Sequence, residues 1–115
     1  MNAEELREYC LAKKEVTESF PFDDTTLVFK VCNKMFLLIS LGETLYFNAK
    51  CDPERAIELR EKHHFIQPGY HMNKQHWNSV YVDDCFDDKL LLSLIDDSYD
   101  LIVDKLPKKI KEKLF

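Results

Sequence analysis

Four histidines lie within a fourteen-residue stretch and are the densest group of potential metal ligands in this chain. His63 and His64 are adjacent, while His71 and His76 flank the sequence MNKQ. A zinc site requires three or four convergent ligands at firm spacing, such as HExxH or paired CxxC, and neither pattern is present. We therefore expect no metal site. His63 and His64 are expected at the end of a helix, where imidazoles suit the dipole, and His71 and His76 within a loop.

Nucleophilic and acid–base chemistry also lack a recognisable constellation. Cys51 precedes a predicted helix N-terminus, a position that can lower a thiol pKa, but no histidine is placed beside it by sequence. The aspartate pairs 83–84 and 87–88 fall at a turn and at a helix start, where capping accounts for them. Two glycines cannot build a phosphate-binding loop. We expect no catalytic residue, no cofactor and no enzymatic activity.

The stretch of residues 69–78 brings aromatic, amide and basic side chains together. Such a combination is typical of a surface that stacks on bases or contacts phosphates. The same residues also have a structural interpretation, with Trp77 as a core anchor, Asn73 as a turn former and Lys74 as a solvated side chain. The residues alone leave both interpretations open.

Length and composition indicate one domain covering residues 1–115. Apolar residues make up 45% of the chain and charged residues 32%, which suits a folded domain with a solvated surface. The longest apolar run, residues 35–39, is too short for a membrane span, and no signal peptide is recognised. The four cysteines form no CxxC pair, so free and mostly buried thiols are expected. These features favour a cytoplasmic monomer.

The first half of the chain predicts a helix followed by an antiparallel meander. Asn2 and Glu5 resemble a capping box that opens a helix over residues 3–14. Residues 16–22 favour a short edge strand, and residues 27–50 alternate with a period of two, which predicts three strands joined by tight turns. Asn33 and Gly42 are expected to take positive φ in those turns.

The second half predicts two helices, one strand and a short tail helix. Asp52 and Pro53 open a helix that runs to about residue 64, and residues 65–73 are expected to form a loop. Residues 77–83 predict a strand, Asp87 or Asp88 caps a long apolar-striped helix, and residues 108–115 form a basic tail helix. The result is an α+β fold in which helices cover one face of an antiparallel sheet.

Charge is distributed unevenly along the chain, whose net charge is −5. Residues 1–24 carry −4, residues 25–82 carry +2, residues 83–104 carry −7 and residues 105–115 carry +4. An acidic total argues against tight, unspecific DNA binding, because phosphate contacts need clustered Lys and Arg. The acidic segment is most simply the solvated face of the long helix, and a partner-binding ridge is the alternative.

Several motifs together resemble the MmcQ/YjbR family along nearly the whole chain. They are FPF at residues 20–22, VFKVCNKMFLLISL at 28–41, DPERAIELRE at 52–61, PGYHMNKQHWNSV at 68–80 and LPKKIKEKLF at 106–115. The resemblance implies a two-layer sandwich similar to CyaY, the bacterial frataxin homologue. It also implies DNA binding, since the family's hairpin layout has been likened to a double-wing motif. It supplies no catalytic residue.

The family's motif positions on this sequence are Lys34, Pro68, Gly69, Tyr70, His71, Met72, Asn73, Lys74, His76, Trp77 and Asn78. If DNA is bound, we expect the phosphates to contact Lys30, Lys34 and Lys50 of the hairpins, with Lys74 and His76 of the signature. Tyr70 and Trp77 are expected to pack behind them.

Three functions are therefore open at this stage. The first is a weak DNA-binding module that uses the basic hairpins. The second is an adaptor that binds another protein through the acidic helix or the open sheet face. The third is a small-molecule or metal binder at the histidine-rich loop.

Overall fold

A computed structural model describes all of residues 1–115, which form one six-stranded antiparallel sheet and four helices. The helices are α1 (Ala3–Leu11), α2 (Pro53–Lys62), α3 (Asp88–Asp104) and α4 (Lys108–Leu114). The strands are β1 (Val16–Ser19), β2 (Thr26–Val31), β3 (Lys34–Ser40), β4 (Tyr46–Lys50), β5 (Ile66–Pro68) and β6 (Trp77–Tyr81). Their order across the sheet is β1-β2-β3-β4-β6-β5. The predicted α+β fold with a meander and a later strand is confirmed.

The helix starts follow from local capping. The Asn2 side chain accepts a hydrogen bond from the Glu5 amide at 2.8 Å, and the Glu5 carboxylate accepts one from the Asn2 amide, which completes the predicted capping box. Asp52 caps α2 ahead of Pro53, and Asp87 caps α3. These side chains satisfy amides that have no partner inside the helix, so each helix begins at a defined residue.

Alternation along the strands separates two faces of the sheet. Leu27, Ile39, Phe47, Val80 and Ile66 oppose one another across five strands and are all buried in the main core. Helices α1, α2 and α3 supply Leu6, Cys10, Ala56, Leu59, Leu91, Leu94, Ile95 and Ile102 to the same core. We call this the helix face, and the opposite side the open face.

The register between β2 and β3 shifts after Phe29, which leaves Phe36 as an extra residue in β3. The Phe36 ring is fully buried and meets Tyr99 of α3 edge-on at a centroid distance of 5.3 Å. Ser98 of α3 is also fully buried; its hydroxyl donates to the Phe36 carbonyl and accepts from the Lys50 amide at 2.8 Å. One serine therefore satisfies backbone groups of two strands where the ladder is interrupted.

The structure corrects the predicted ends of four elements. Strand β1 ends at Ser19 rather than residue 22. Helix α1 ends at Leu11 rather than residue 14, and the chain turns into β1 through Glu15, whose φ is 63°. Helix α2 ends at Lys62, with His63 in an extended conformation at its C-terminus. Strand β6 ends at Tyr81, because a short 3₁₀ turn, Val82–Asp84, follows it directly.

Two further predictions about the connections were wrong. Residues 66–68 of the predicted loop form β5, which pairs with β6 at the edge of the sheet. Asn33 has the predicted positive φ of 65°, but Gly42 does not take positive φ. Five residues separate β3 from β4, so this connection does not require the tight turn expected at Gly42.

None of the four helices has the length and apolar composition required to span a bilayer. All four cysteines are free; Cys10, Cys51 and Cys85 are buried and Cys32 is half-buried, which confirms the expected thiol state.

Candidate nucleic-acid interface

Two of the lysines predicted from the hairpins meet at one end of the sheet. Lys34 begins β3 and Lys50 ends β4, so antiparallel pairing places both at the same end. They line a cleft of about 250 Å³ with Lys105, which follows the last turn of α3. The remaining lining residues, Ile102 and Leu106, are apolar, so this cleft contains three ammonium groups and no carboxylate.

A second cleft, of about 450 Å³, lies on the other side of the β2–β3 turn. Helix α4 lines it with Lys109 and Lys113, and the turn contributes Cys32 and Asn33. Asn33 is the sequence neighbour of Lys34, so each of the two clefts has a lining residue at this turn. Glu15 is the one acidic residue in the lining. We call the combined surface of Lys34, Lys50, Lys105, Lys109 and Lys113 the basic end.

The ammonium groups of the basic end form no ion pairs, although Glu15 lines one of the two clefts. None of its five lysines takes part in the ion pairs of the protein, which involve the N-terminus, Arg7, Lys13, Arg55 and Lys108. Burial lowers the pKa of the Lys50 ammonium, and the positive charge of Lys105 lowers it further. Mutual repulsion of this kind is relieved when an anion binds between the lysines.

Sequence reasoning identified Lys34 and Lys50 but did not include Lys105, Lys109 and Lys113. The available signal was the net charge of +4 in residues 105–115. What could not be read from it was the docking of α4 beside the β2–β3 turn.

The signature lysine has a different environment from the hairpin lysines. Lys74 lines neither cleft, and its ammonium donates to the Gly69 carbonyl at 3.0 Å. The Arg60 guanidinium donates to the Lys74 carbonyl and to the Asn78 side chain. The structure therefore does not bring Lys74 to the basic end, and gives it a contact that holds the 69–76 loop.

Backbone pairing between β4 and β6 places His76 and Trp77 close to Lys50. The His76 carbonyl accepts a hydrogen bond from the Cys51 amide at 2.8 Å, and Trp77 pairs with Lys50 in the β4–β6 register. Trp77 is 9% exposed, so the anchoring role considered for it fits its burial. His76 is half-buried beside it.

Tyr70 projects from a loop that folds over the open face. Its amide donates to the Ser79 hydroxyl at 2.9 Å, and its carbonyl accepts from the Asn48 side-chain amide at 3.1 Å. The Ser79 hydroxyl in turn donates to the Asn48 side-chain oxygen. Asn48 and Ser79 are buried cross-strand partners, so the sheet itself fixes the position of this loop.

Between this loop and the segment before β2 lies a pocket of about 300 Å³, which we call the open-face pocket. Phe22 and Asp23 form one wall, and the loop forms the other with Tyr70, His71 and Met72. The floor consists of open-face residues of the strands: Thr26, Met35, Leu38, Tyr46 and Asn48. Lys30 lies beside the floor as the cross-strand partner of Met35.

Three acidic residues of α3 lie in another cleft, whose lining residues Cys51 and Asp104 directly adjoin Lys50 and Lys105 in the sequence. Asp97, Asp100 and Asp104 line a cleft with Asp52 and Arg55 at the start of α2, and the Arg55 guanidinium forms an ion pair with Asp97. No group of three His, Cys, Asp or Glu side chains converges in a geometry suited to a metal ion. The four histidines do not form a common cluster with such ligands.

Cys51 does not have the environment of an activated nucleophile. Burial raises the pKa of its thiol despite its position before α2, and the nearby Arg55 offsets that increase only in part. Burial also raises the pKa of the Cys10 thiol to about 12. The reactive form of cysteine is the thiolate, so both side chains are held in the less reactive form.

We expect a thiol-specific reagent at a pH of about 8 to label Cys32 rapidly in the folded protein, because it is the one cysteine that is not buried. The other three thiols should react only after denaturant is added. With a reagent that releases a chromophore when it reacts with a thiol, absorbance follows both the rapid reaction of Cys32 and the later reaction of the other three thiols. A Cys32→Ser variant that retained the rapid phase would contradict this assignment.

The chain resembles several known proteins. The sequence profile of the YjbR family matches residues 11–101. Escherichia coli K12 YjbR is 35% identical over 99% of this chain and 97% of its own length, and YbdF of E. coli O157:H7 is 40% identical over 83% of this chain and 79% of its own.

Solved structures show the same relationship. The crystal structure of Deinococcus radiodurans DR2400 covers 97% of this chain and 86% of its own, with 39% identity and a TM-score of 0.92. A Pseudomonas syringae crystal structure covers 88% of this chain and 98% of its own, with 28% identity and a TM-score of 0.77.

Proposed function

We propose that this chain, which belongs to the YjbR family, is a nucleic-acid-binding module that contacts the phosphate backbone through its basic end. The observation that carries the proposal is the presence of three lysines in one cleft and two in a second cleft, none of which forms an ion pair. It is a binding function without a chemical step. We place it in the cytoplasm, which the four free thiols support, since unpaired cysteines are typical of reducing compartments.

The acidic total of the protein limits the expected affinity. A net charge of −5 repels a polyanion at a distance, while the basic end attracts it locally. Nonspecific binding of this type has a Kd of roughly 1–100 μM at physiological salt. The logarithm of this Kd rises linearly with the logarithm of the salt concentration. The proposal therefore concerns a weak, salt-sensitive interaction whose surface is confined to one end of the sheet.

The test is a fluorescence anisotropy titration with a labelled duplex and a labelled single strand over a series of salt concentrations. We expect binding to both at about 50 mM salt, with a duplex slope that becomes shallower by about 0.9 for each phosphate contact removed. The double variant Lys105→Ala/Lys109→Ala should weaken binding by about tenfold and reduce the slope.

Lys89→Ala is the matched control, because Lys89 is an exposed lysine without an ion pair in the first turn of α3, about 24 Å along that helix from Lys105. It removes one positive charge, half of what the double variant removes, and should change affinity little. Absence of binding to either probe at about 50 mM salt would overturn the proposal. A loss of log Kd in Lys89→Ala that is half or more of the loss in the double variant would show that net charge, rather than the basic end, determines binding.

A further inference from the structure

The open-face pocket presents two exposed aromatic rings on a scaffold that is already fixed. The Phe22 and Tyr70 side chains are 73% and 54% exposed, and both line the pocket. Tyr46 in the floor meets Tyr70 edge-on at a centroid distance of 6.4 Å and packs in a tilted arrangement against Tyr81 at 5.2 Å. Aromatic rings grouped in this way suit a flat, unsaturated ligand, since such rings attract one another in stacked and edge-on arrangements.

Hydrogen bonds hold both walls of the pocket. One wall is bonded to the sheet, and the other to the residues at the start of β2. The Tyr70 backbone is tied to Asn48 and Ser79, as described above. Asp23, the neighbour of Phe22, accepts hydrogen bonds from the Thr25 and Thr26 amides at 2.9 and 2.7 Å. Little ordering is therefore needed when a ligand enters, which favours binding.

The backbone conformation of His71 also indicates that the loop has a defined structure. Its φ is 60°, a conformation that a non-glycine residue adopts at a cost. The loop adopts this conformation, and the centroids of the Tyr70 and His71 rings lie 4.0 Å apart at the pocket wall.

One row of cross-strand partners leads from the open-face pocket to the basic end. Thr17, Lys30 and Met35 are cross-strand partners on β1, β2 and β3. Thr17 lines the cleft of Lys109 and Lys113, and Met35 lines the open-face pocket. Lys30, which makes no ion pair, lies between them. A polymer with negative charges along its backbone and aromatic groups at its side matches this row.

We propose that the open-face pocket receives an unpaired nucleobase from a strand whose phosphates lie on Lys30 and the basic end. This inference rests on the proposed function and adds the class of nucleic acid, which is single-stranded. Small-molecule pockets begin at about 300 Å³, so the open-face pocket suits one ring system rather than a protein element. Bases inside a duplex are stacked on one another and are not available to Phe22 and Tyr70.

The experiment compares a strand of about twelve deoxythymidines with an abasic strand of the same length and charge, again by anisotropy. The wild-type protein should bind the thymidine strand about tenfold more tightly than the abasic strand. Phe22→Ala and Tyr70→Ala should each remove most of that preference while leaving abasic binding within about twofold. In proton NMR spectra, the ring signals of Phe22 and Tyr70 should shift on addition of the thymidine strand.

Phe86→Ala is the control, because Phe86 is 97% exposed and lies outside the open-face pocket. It should leave the preference for thymidine unchanged. Equal binding of the two strands by wild-type protein would overturn the inference while leaving the proposed function in place. An unchanged preference in Phe22→Ala and Tyr70→Ala would do the same, and would direct attention to a protein side chain or a free small molecule as the occupant. Failure of both strands and of duplex to bind would instead reject the proposed function itself.

Discussion

Replacement of Phe36 by alanine is expected to lower the free energy of unfolding by about 3–5 kcal/mol. The ring is fully buried, meets Tyr99 at 5.3 Å and Phe29 at 6.5 Å, and fills the space created where β3 carries an extra residue. Its removal leaves a cavity between sheet and α3 that rigid neighbours cannot fill. Since small domains are stable by about 5–15 kcal/mol, this loss is a large fraction of the total.

Urea denaturation followed by circular dichroism measures this effect, and Phe86→Ala provides the matched control. Phe86 is the same residue type but 97% exposed, so its replacement should change the free energy of unfolding by less than about 0.5 kcal/mol. Similar losses in the two variants would contradict the packing described for Phe36.

The two glycines of the chain are expected to respond in opposite ways to alanine. A Cβ at Gly69 would lie 2.8 Å from the Trp77 Cβ and 2.9 Å from the Trp77 carbonyl oxygen, neither of which can move without the strand. The Gly69 amide also donates to that carbonyl at 2.9 Å. Gly69→Ala should therefore displace the 69–76 loop from β6 and lower the free energy of unfolding by about 2–3 kcal/mol.

Gly42→Ala meets no atom within 4 Å and does not have positive φ. Because alanine restricts the unfolded chain, we expect this variant to be unchanged or more stable by up to about 1 kcal/mol. Thermal melts of the two variants, measured side by side, provide the comparison. A Gly69→Ala protein as stable as wild type would show that the loop does not need its close approach to Trp77.

The elements with strong local signals were predictable from sequence. The period of two in residues 27–50 put Leu27, Phe29 and Val31 on one face, which is the helix face, and capping by Asn2, Asp52 and either Asp87 or Asp88 marked the starts of α1, α2 and α3. The signals that failed were weaker. Strand β5 is only three residues long and ends in Pro68, a residue that disfavours strands except at an edge, where β5 lies.

The candidate site could be predicted only in part, because it is assembled by packing between distant segments. Lys34 and Lys50 could be paired from the strand register, since both belong to the meander. Lys105, Lys109 and Lys113 could not be added, because their position depends on where the end of α3 and helix α4 dock. Lys74 shows the reverse case, in which a charged residue of the signature is held by the Gly69 carbonyl.

The open-face pocket could not be predicted from the residue pattern either. Phe22 and Tyr70 are 48 positions apart in the sequence, and they share the pocket only because two loops fold over the same strands. Asn48 and Ser79 are buried and hold one of these loops. In the sequence, they look like ordinary polar residues at alternating positions of a strand.

At the end of α3, residues of opposite charge line two different clefts. Asp104 faces the cleft that holds Asp52, Asp97 and Asp100, while Lys105, the next residue, faces the cleft of Lys34 and Lys50. Opposite charges that line separate clefts form an electric dipole, and a dipole in the field of a polyanion experiences a torque. Under the proposed function, the protein is rotated with its lysines foremost before contact, and higher salt weakens this alignment by shortening the Debye length from about 10 Å at 0.1 M.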